Sequence, residues 1–194
     1  DAVHRALERD RQGRAGRAEL AESVLRPQHW AGSPDLKAHD YDPELARDYL
    51  RRAGYDATRP LRLSYKTSTD AFRLRIAHVL QSQLEDIGIQ LKIASYDWGT
   101  FFGDIKNGSF QMYSLAWVGV NTPDILRYAF HSASTPPAGA NRGRYASPAV
   151  DALIERAETA DLDEASALYA EVQHMVHRDL VYVPLWYEAN VVAS

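Results

Sequence analysis

Strand-like and helix-like periodicities alternate between residues 42 and 117, and this alternation constrains the fold more than any other feature. Residues 61–66 and residues 89–93 alternate apolar and polar side chains, which is the period of a half-buried strand. Between them, apolar residues recur three and four positions apart, as on one helix face. This face is predicted from Phe72, Ile76, Leu80, Leu84 and Ile87. The order predicts an α/β fold with a mixed, mostly parallel sheet flanked by helices.

Capping residues predict where the helices begin and end. Asp42 and Pro43 supply an N-cap and a first-turn proline, and Gly54 ends that helix. Gly88 ends the long helix. A short amphipathic segment around Trp98 precedes Asn107-Gly108, and residues 110–117 form an apolar third strand. An open α/β sheet binds its ligands at the carboxyl ends of the strands, and Trp117 is expected at such an end.

The second half of the chain reads as a loop, two helices and a final strand. Residues 133–145 contain two prolines and two glycines, which predicts an irregular loop of functional length. Ser147 and Asp161 are expected to cap the two helices. Residues 181–186 alternate in a strand pattern, and Pro184 confines that strand to an edge or a crossing between lobes.

Composition excludes several classes of partner. The 22 Lys and Arg residues against 26 Asp and Glu give a net charge of −4, which disfavours nucleic acid. Without cysteine there is no disulfide, thiolate metal site or thiol nucleophile. No apolar run approaches the roughly 20 residues of a membrane span. Because residues 1–5 do not resemble a signal peptide, we expect a cytosolic protein or one whose start has been removed.

Motifs for catalysis or metal binding are missing or weak. There is no GxSxG, HExxH, Walker-type loop or complete GxGxxG pattern. His174 and His177 share a helix face, yet Asp179 is their only obvious acidic neighbour. The acidic group of Asp161, Asp163 and Glu164 lacks the later ligands of a calcium loop and reads as a capped helix start. We therefore expect no enzyme activity, no cofactor and no metal site.

Six separated segments, taken together, resemble one family, the peptide, nickel and opine-type solute-binding proteins (family 5) of ABC importers. The segments follow each other in the family's order. They are residues 41–55 (YDPELARDYLRRAGY), residues 84–89 (LEDIGI), residues 116–124 (AWVGVNTPD), Asn141 with residues 145–153, Leu168-Tyr169, and residues 183–186 (VPLW).

The resemblance implies a lobe of a class II periplasmic-binding-protein-like fold, from a longer protein that closes two lobes around a cleft. We expect an amino-terminal arm at residues 1–25, ligand-binding lobe II at residues 26–180, and a terminal strand region at residues 181–194 leading back toward the other lobe. It further implies a periplasmic or membrane-tethered extracellular location. The full-length protein is expected to be a monomer that binds a small-molecule or peptide ligand and the transmembrane permease subunits.

The candidate ligand-binding residues cluster around one tryptophan. Trp117, followed by Gly119, offers a flat apolar surface and an indole N–H donor; the less favoured alternative is a core residue at the sheet edge. Oligopeptide-binding members of the family place an aspartate three residues after this tryptophan, where it pairs with the ligand ammonium. Here that position is Val120, which cannot neutralise a positive charge.

Further candidates flank this segment. Asn121, with Thr122 and Asp124, follows at the expected mouth of the cleft, although Asp124 also suits the start of a helix. Tyr113 alternates onto the same face as Trp117. Asn141 and Arg142 could contact a ligand, or could order their own loop through side-chain to backbone bonds.

Three functions remain open at this point. The leading one is a transport receptor that delivers its ligand to a permease. The second is a sensory or chaperone-like binding module on the same lobe. A hydrolase is less favoured because the polar groups near Trp117 include no nucleophile with a base beside it.

Overall fold

A computed structural model describes residues 18–188, and these residues divide into two compact units. Unit 1 is His39–Ala116, and unit 2 combines residues 18–38 with residues 117–188. Most of the predicted amino-terminal arm lies outside the described residues. The elements in chain order are β1 (Ala18–Leu20), α1 (Pro43–Arg52), β2 (Leu61–Ser68), α2 (Ala71–Asp86), β3 (Ile89–Tyr96), α3 (Trp98–Asn107), β4 (Met112–Tyr113), α4 (Asp124–Phe130), a 3-10 turn (Ser132–Ser134), α5 (Pro148–Ala157), α6 (Leu162–Arg178) and β5 (Trp186–Glu188).

Unit 1 contains the predicted parallel sheet. Its three strands lie in the order β3-β2-β4, and β2 pairs with both neighbours in parallel. Tyr65, Ala77 and Leu91 form the buried core between the sheet and α2. The strand–helix–strand–helix–strand order and the predicted fold class are therefore confirmed.

The face of α2 that packs on the sheet differs from the predicted one at its start. Phe72 was expected to point inward, but it is 50% exposed, and Ala77 is the buried residue of this helix. Gln81 is not part of the predicted apolar face, yet its amide donates to the carbonyl oxygen of Leu91 at 2.6 Å. The smaller Ala77 allows close packing, while Phe72 lies in the first turn, beyond the core.

The third strand is much shorter than the eight residues predicted from the apolar run, because side chains replace the backbone ladder at both of its ends. Ahead of β4, the Gln111 side-chain oxygen accepts from the Ser64 backbone N–H at 2.7 Å. Beyond it, the Tyr65 hydroxyl donates to the Ser114 hydroxyl at 2.5 Å. Burial of Tyr65 raises the pKa of its hydroxyl group.

Unit 2 is a helical layer around a single apolar core. Ser147 and Asp161 cap α5 and α6 as predicted, each accepting from a backbone N–H three residues on. The core is supplied by α4, α5, α6 and the segment before unit 1, and its fully buried members include Leu25, Leu126, Val150, Ile154 and Val172. Gln173 is buried among them and donates to the carbonyl oxygens of Ala31 and Tyr169.

A short antiparallel pair joins the two ends of unit 2. Leu20 lies opposite Trp186 in the β1–β5 ladder. The strand predicted at residues 181–186 is placed too early, since the strand begins only at Trp186, after Pro184, which has no N–H to donate. Within residues 18–188, no helix is long and apolar enough to cross a bilayer.

Candidate functional site

Trp117 is half-buried and is held by aromatic and cationic neighbours in unit 2. The edge of its ring meets Tyr128 with centroids 6.2 Å apart and planes at 67°. The Arg142 guanidinium lies 5.1 Å from the centroid of the Trp117 ring. Part of the indole also packs against the core of unit 2. Trp117 thus combines a structural contact with a partly accessible aromatic surface.

The segment after Trp117 projects outward and then returns to the core. Val118 is 91% exposed, and Gly119 has φ of +73°, a conformation that side chains other than glycine rarely adopt. Val120 packs partly against the core. The two residues that directly follow Trp117 are therefore both exposed.

His29 fixes the next part of this segment and was not singled out from the sequence. The Ala31 backbone N–H donates to Nδ1 of His29 at 3.1 Å, so the proton lies on Nε2. Nε2 then donates to the carbonyl oxygen of Asn121 at 3.2 Å. The Asn121 side chain itself is exposed, and no spacing in the sequence links it to a histidine 92 residues earlier.

Asp124 lies in the first turn of α4, the structural position that the sequence allowed for it. Its carboxylate accepts from the Thr122 hydroxyl at 3.1 Å. A carboxylate at the start of a helix interacts favourably with the exposed backbone N–H groups there. This arrangement supports the helix-start alternative for Asp124.

Asn141 is 1% exposed, and its amide orders the loop that carries Arg142. Its Nδ2 donates to the carbonyl oxygens of His131 at 3.1 Å and Tyr145 at 2.7 Å. Its Oδ1 accepts from the Tyr145 backbone N–H at 2.9 Å. These bonds favour the loop-ordering alternative for Asn141. Arg142 is half-buried, and its side chain contacts the Trp117 indole.

The start of the same loop is held against α5. Asp151 accepts from the backbone N–H of Ser132 at 2.9 Å and from its hydroxyl at 2.5 Å. Gly139 passes so close to Ser134 that an added Cβ would lie 2.6 Å from the Ser134 carbonyl oxygen. The loop is therefore a packed structure with little freedom to shift Arg142.

Tyr113 belongs to unit 1, at the carboxyl end of β4, opposite Lys66 of β2. Its ring meets Phe110 with centroids 4.6 Å apart. Because β4 ends at Tyr113, the strand alternation that was used to relate Tyr113 to Trp117 does not extend along residues 114–117.

An exposed aromatic group at the carboxyl ends of β2 and β3 was missed by the sequence reasoning. Trp98 is 53% exposed and stacks on Phe102 with centroids 5.6 Å apart. The Arg73 guanidinium lies 5.7 Å from the Trp98 ring centroid. The sequence predicted only a short amphipathic segment around Trp98, and the buried residues of that helix are Phe101 and Ile105.

A concavity of about 760 Å³ lies at the opposite, amino-terminal ends of β2 and β3. Its lining includes Arg62, Ser64, Gln90, Lys92 and Gln111, and it contains none of the predicted site residues. Open α/β sheets bind ligands at the other end of their strands. We therefore do not place the candidate site there.

The histidine pair on α6 has local partners. Nε2 of His174 lies 3.1 Å from the Asp35 carboxylate and 3.1 Å from the Ser33 hydroxyl. The Ser33 hydroxyl is the main reason that the pKa of Asp35 lies below its usual value, and His174 adds to the effect. Among residues 18–188, no group of three or more His, Asp or Glu side chains is placed to hold a metal ion.

Comparison with known proteins shows which family this chain belongs to. The model of "Bacterial extracellular solute-binding proteins, family 5 Middle" matches residues 2–138. Di/tripeptide-binding protein 2 of Pseudomonas aeruginosa is 32% identical over 149 residues, which is 75% of this chain and 28% of the relative. The dipeptide-binding protein of Escherichia coli is 26% identical over 81% of this chain and 30% of its own length. The chain thus spans about a third of these relatives.

Solved structures agree with the fold. The periplasmic binding protein DppA of Helicobacter pylori, in complex with the peptide STSA, superposes with a TM-score of 0.80 at 26% identity, covering 93% of this chain and 36% of DppA. A dipeptide-binding protein of Pseudoalteromonas in complex with Met-Leu gives 0.78 at 26% identity, covering 94% of this chain and 37% of the other. The fold is that of a periplasmic binding protein, and the chain belongs to the family 5 bacterial extracellular solute-binding proteins.

Proposed function

We propose that this chain is the ligand-gripping second lobe of the solute-binding component of an ABC importer. The full-length protein would capture a small solute, peptide-like or other, in a cleft between two lobes and deliver it to the permease. Binding proteins of this kind enclose the ligand between facing walls that close by a hinge. One lobe alone supplies one wall.

The observation that carries the proposal is the Trp117 surface in unit 2. A half-buried indole, fixed by Tyr128 and overlaid by Arg142, offers an apolar face and polar donors together. Such a surface can contribute strongly to ligand binding, because its side chains lose little conformational entropy when the ligand binds. The backbone turn at Gly119 lies beside it in sequence, and we include Val120 and Asn121 in the site.

Tyr113 is also proposed as a ligand-binding residue, and Asn141 as the residue that holds Arg142 in place. We assign lobe II to residues 26–180, an arm to residues 1–25, and the return toward the other lobe to residues 181–194. The protein is proposed to be a periplasmic or membrane-tethered monomer that binds its ligand without chemical turnover. The names of the relatives, which describe binding proteins, support this assignment.

Mass spectrometry of ligands that co-purify with the full-length protein tests the proposal. We expect a small solute at near-stoichiometric amount, released on denaturation, and a specific complex with the permease subunits in a pull-down. Conversion of the bound solute into product on incubation would contradict the proposal and favour the hydrolase alternative. Recovery of a stable complex with an unfolded protein client would favour the chaperone-like alternative.

A further inference from the structure

We infer that unit 1 carries a second binding site, which takes a small solute with a phosphate group. The site is the concavity at the amino-terminal ends of β2 and β3, where Arg62 and Lys92 are among the lining residues. Neither Trp117 nor any other residue of the proposed cleft lines it. The second site therefore does not depend on the proposed function.

Two cationic side chains lie on one face of the sheet in this concavity. Arg62 of β2 lies opposite Gln90 of β3, and Ser64 lies opposite Lys92. Residues two apart on a strand project from the same face, so these four side chains share a face. The spacings between strands and along a strand put the Cα atoms of Arg62 and Lys92 about 8 Å apart. Two long cationic side chains at that separation can bind one anionic group between them.

The two glutamines that line the concavity already use their side-chain oxygens. Oε1 of Gln90 accepts from Nε of Arg62 at 3.0 Å. Oε1 of Gln111 accepts from the backbone N–H of Ser64 at 2.7 Å and from its hydroxyl at 2.9 Å. These bonds assign the other end of each amide as an amino group, which only donates. The two amides and the two cations thus present donors to a ligand, as an anion requires.

The charges of the concavity also favour an anion. Within residues 18–188, neither Arg62 nor Lys92 forms an ion pair, whereas Lys66 on the same face pairs with Asp104 at 2.6 Å. Among the described lining residues, Glu85 at the end of α2 is the one acidic side chain. Two cations against one acid make the concavity positive in a chain whose net charge is −4.

The shape of the donor set and the size of the concavity point to a small organic phosphate. A phosphate group has several acceptor oxygens in a tetrahedral arrangement, so a guanidinium, an ammonium and an amide can each bond to a different one. The volume of about 760 Å³ is in the range of about 300 to 1,000 Å³ that small-molecule sites occupy. Leu63 and Leu91 also line it and can contact the carbon atoms of the solute.

The test compares two soluble probes that differ only in the phosphate group, glycerol 3-phosphate and glycerol. Calorimetric titration of the full-length protein should give a dissociation constant of roughly 1 mM or lower for glycerol 3-phosphate. Glycerol should give no heat of binding, because it offers no charge to Arg62 and Lys92. Sedimentation with vesicles of phosphatidylglycerol is the second measurement, since a lipid headgroup carries the same phosphate chemistry on a membrane surface.

Variants assign the binding to the concavity. Arg62→Gln and Lys92→Gln should each weaken binding of glycerol 3-phosphate by at least about tenfold, as expected for loss of a charge-assisted hydrogen bond. Lys92→Arg keeps the charge and should bind within about threefold of the unmodified protein. Glu85→Gln removes the acidic side chain and should strengthen binding. Lys37→Gln makes the same charge change on an exposed side chain of unit 2 and should leave binding unchanged. Circular dichroism melting of each variant checks that the fold is retained.

Three outcomes would overturn the inference. The first is that glycerol 3-phosphate does not bind the unmodified protein at millimolar concentration. The second is that Arg62→Gln and Lys92→Gln, with their fold retained, bind it as the unmodified protein does, because the phosphate would then be bound elsewhere. The third is binding to the vesicles without binding of the soluble probe, which would make the concavity a contact for a membrane surface.

Discussion

Trp117 packs partly against the core of unit 2 and is also the residue that we propose as a binding surface. Part of its indole contacts the core of unit 2, while Arg142 and Tyr128 meet the rest of the ring. Because the ring is half-buried, its removal should lower both the stability of the protein and its affinity for a ligand. These two effects are measured separately. A melting temperature reports the core contact, and a dissociation constant reports the accessible face.

Replacing Trp117 by alanine tests this division. We expect Trp117→Ala in the full-length protein to weaken ligand binding by at least about tenfold, because the aromatic surface is lost. The stability cost should be about 1–3 kcal/mol, as for a partly buried side chain. Trp117→Phe keeps part of the ring and should recover most of the stability. Unchanged affinity with a collapsed melting temperature would make Trp117 a core residue only.

Asn141→Ala should destabilise the protein although the residue lies in a loop. The substitution leaves the partly buried Tyr145 N–H and the buried His131 carbonyl oxygen without their Asn141 partner, at a cost of about 3 kcal/mol. Denaturant unfolding measures the change. Asn121→Ala, on an exposed side chain, should change stability by less than about 0.5 kcal/mol. Equal effects of the two substitutions would contradict the loop-ordering role.

Single residues could be predicted only where one local rule decides their role. The N-caps Asp42, Ser147 and Asp161 were predicted correctly because a cap bonds to a backbone N–H three residues on. Asn141 remained ambiguous, since the same amide suits a ligand or a loop. The bond from His29 to Asn121 spans 92 residues and leaves no local signal in the sequence.

At the scale of elements, α3 illustrates how a short helix is held on the sheet. Phe101 and Ile105 are fully buried beneath it, and Lys66 of β2 bonds to Asp104 at 2.6 Å. Asp97 caps its amino end by accepting from the Thr100 hydroxyl at 2.6 Å and from the Thr100 backbone N–H at 3.1 Å. The helix also carries Trp98, so the cap positions that aromatic surface.

The Asp97 cap should make the stability of α3 depend on pH. The bond from the Thr100 hydroxyl, followed by that from its backbone N–H, lowers the pKa of Asp97 below the ordinary value of 3.8. Its contribution to stability is therefore complete above that pH and is lost as the pH falls through the lower, folded-state pKa. The melting temperature of Asp97→Ala should be clearly lower than that of the unmodified protein at pH 7.

The difference in melting temperature should shrink as the pH falls below 3.8, because the carboxyl group of Asp97 is protonated first in the unfolded chain and, at lower pH, in the folded one. Circular dichroism melting at pH 7, 5, 3 and 2 measures it. Asp97→Asn keeps a cap that does not titrate, so its advantage over Asp97→Ala should stay constant with pH. A difference between the unmodified protein and Asp97→Ala that is independent of pH would contradict the role of the carboxylate.

Elements with a clear hydrophobic periodicity and capping residues were predicted well. Elements whose limits depend on pairing with another strand were not. Strands β2 and β3 follow the alternation of the sequence, and the helices end near the predicted glycines. Strand β4 was predicted too long because apolar content does not reveal that Gln111 and Ser114 bond to β2 through their side chains. The last strand was misplaced since its partner, β1, lies more than 160 residues earlier.

At the scale of the whole molecule, the described residues form two units that each have a core of their own. Unit 2 takes residues from both sides of unit 1 in the sequence, and the β1–β5 pair joins these distant segments. The chain covers 28% and 30% of the lengths of two curated relatives. If the remaining part of such a protein supplies the opposite wall, affinity is a property of the complete molecule.

The isolated chain should therefore bind far more weakly than the full-length protein. A ligand that contacts one wall keeps much of its surface in water and gains nothing from closure. We expect the 194-residue chain to bind the co-purified solute at least roughly 100-fold more weakly in calorimetric titrations. Small-angle X-ray scattering should show a smaller radius of gyration for the full-length protein with ligand, and no change for the isolated chain. Equal affinities for both would mean that the Trp117 surface is sufficient for binding, and that closure of a second lobe contributes nothing to it.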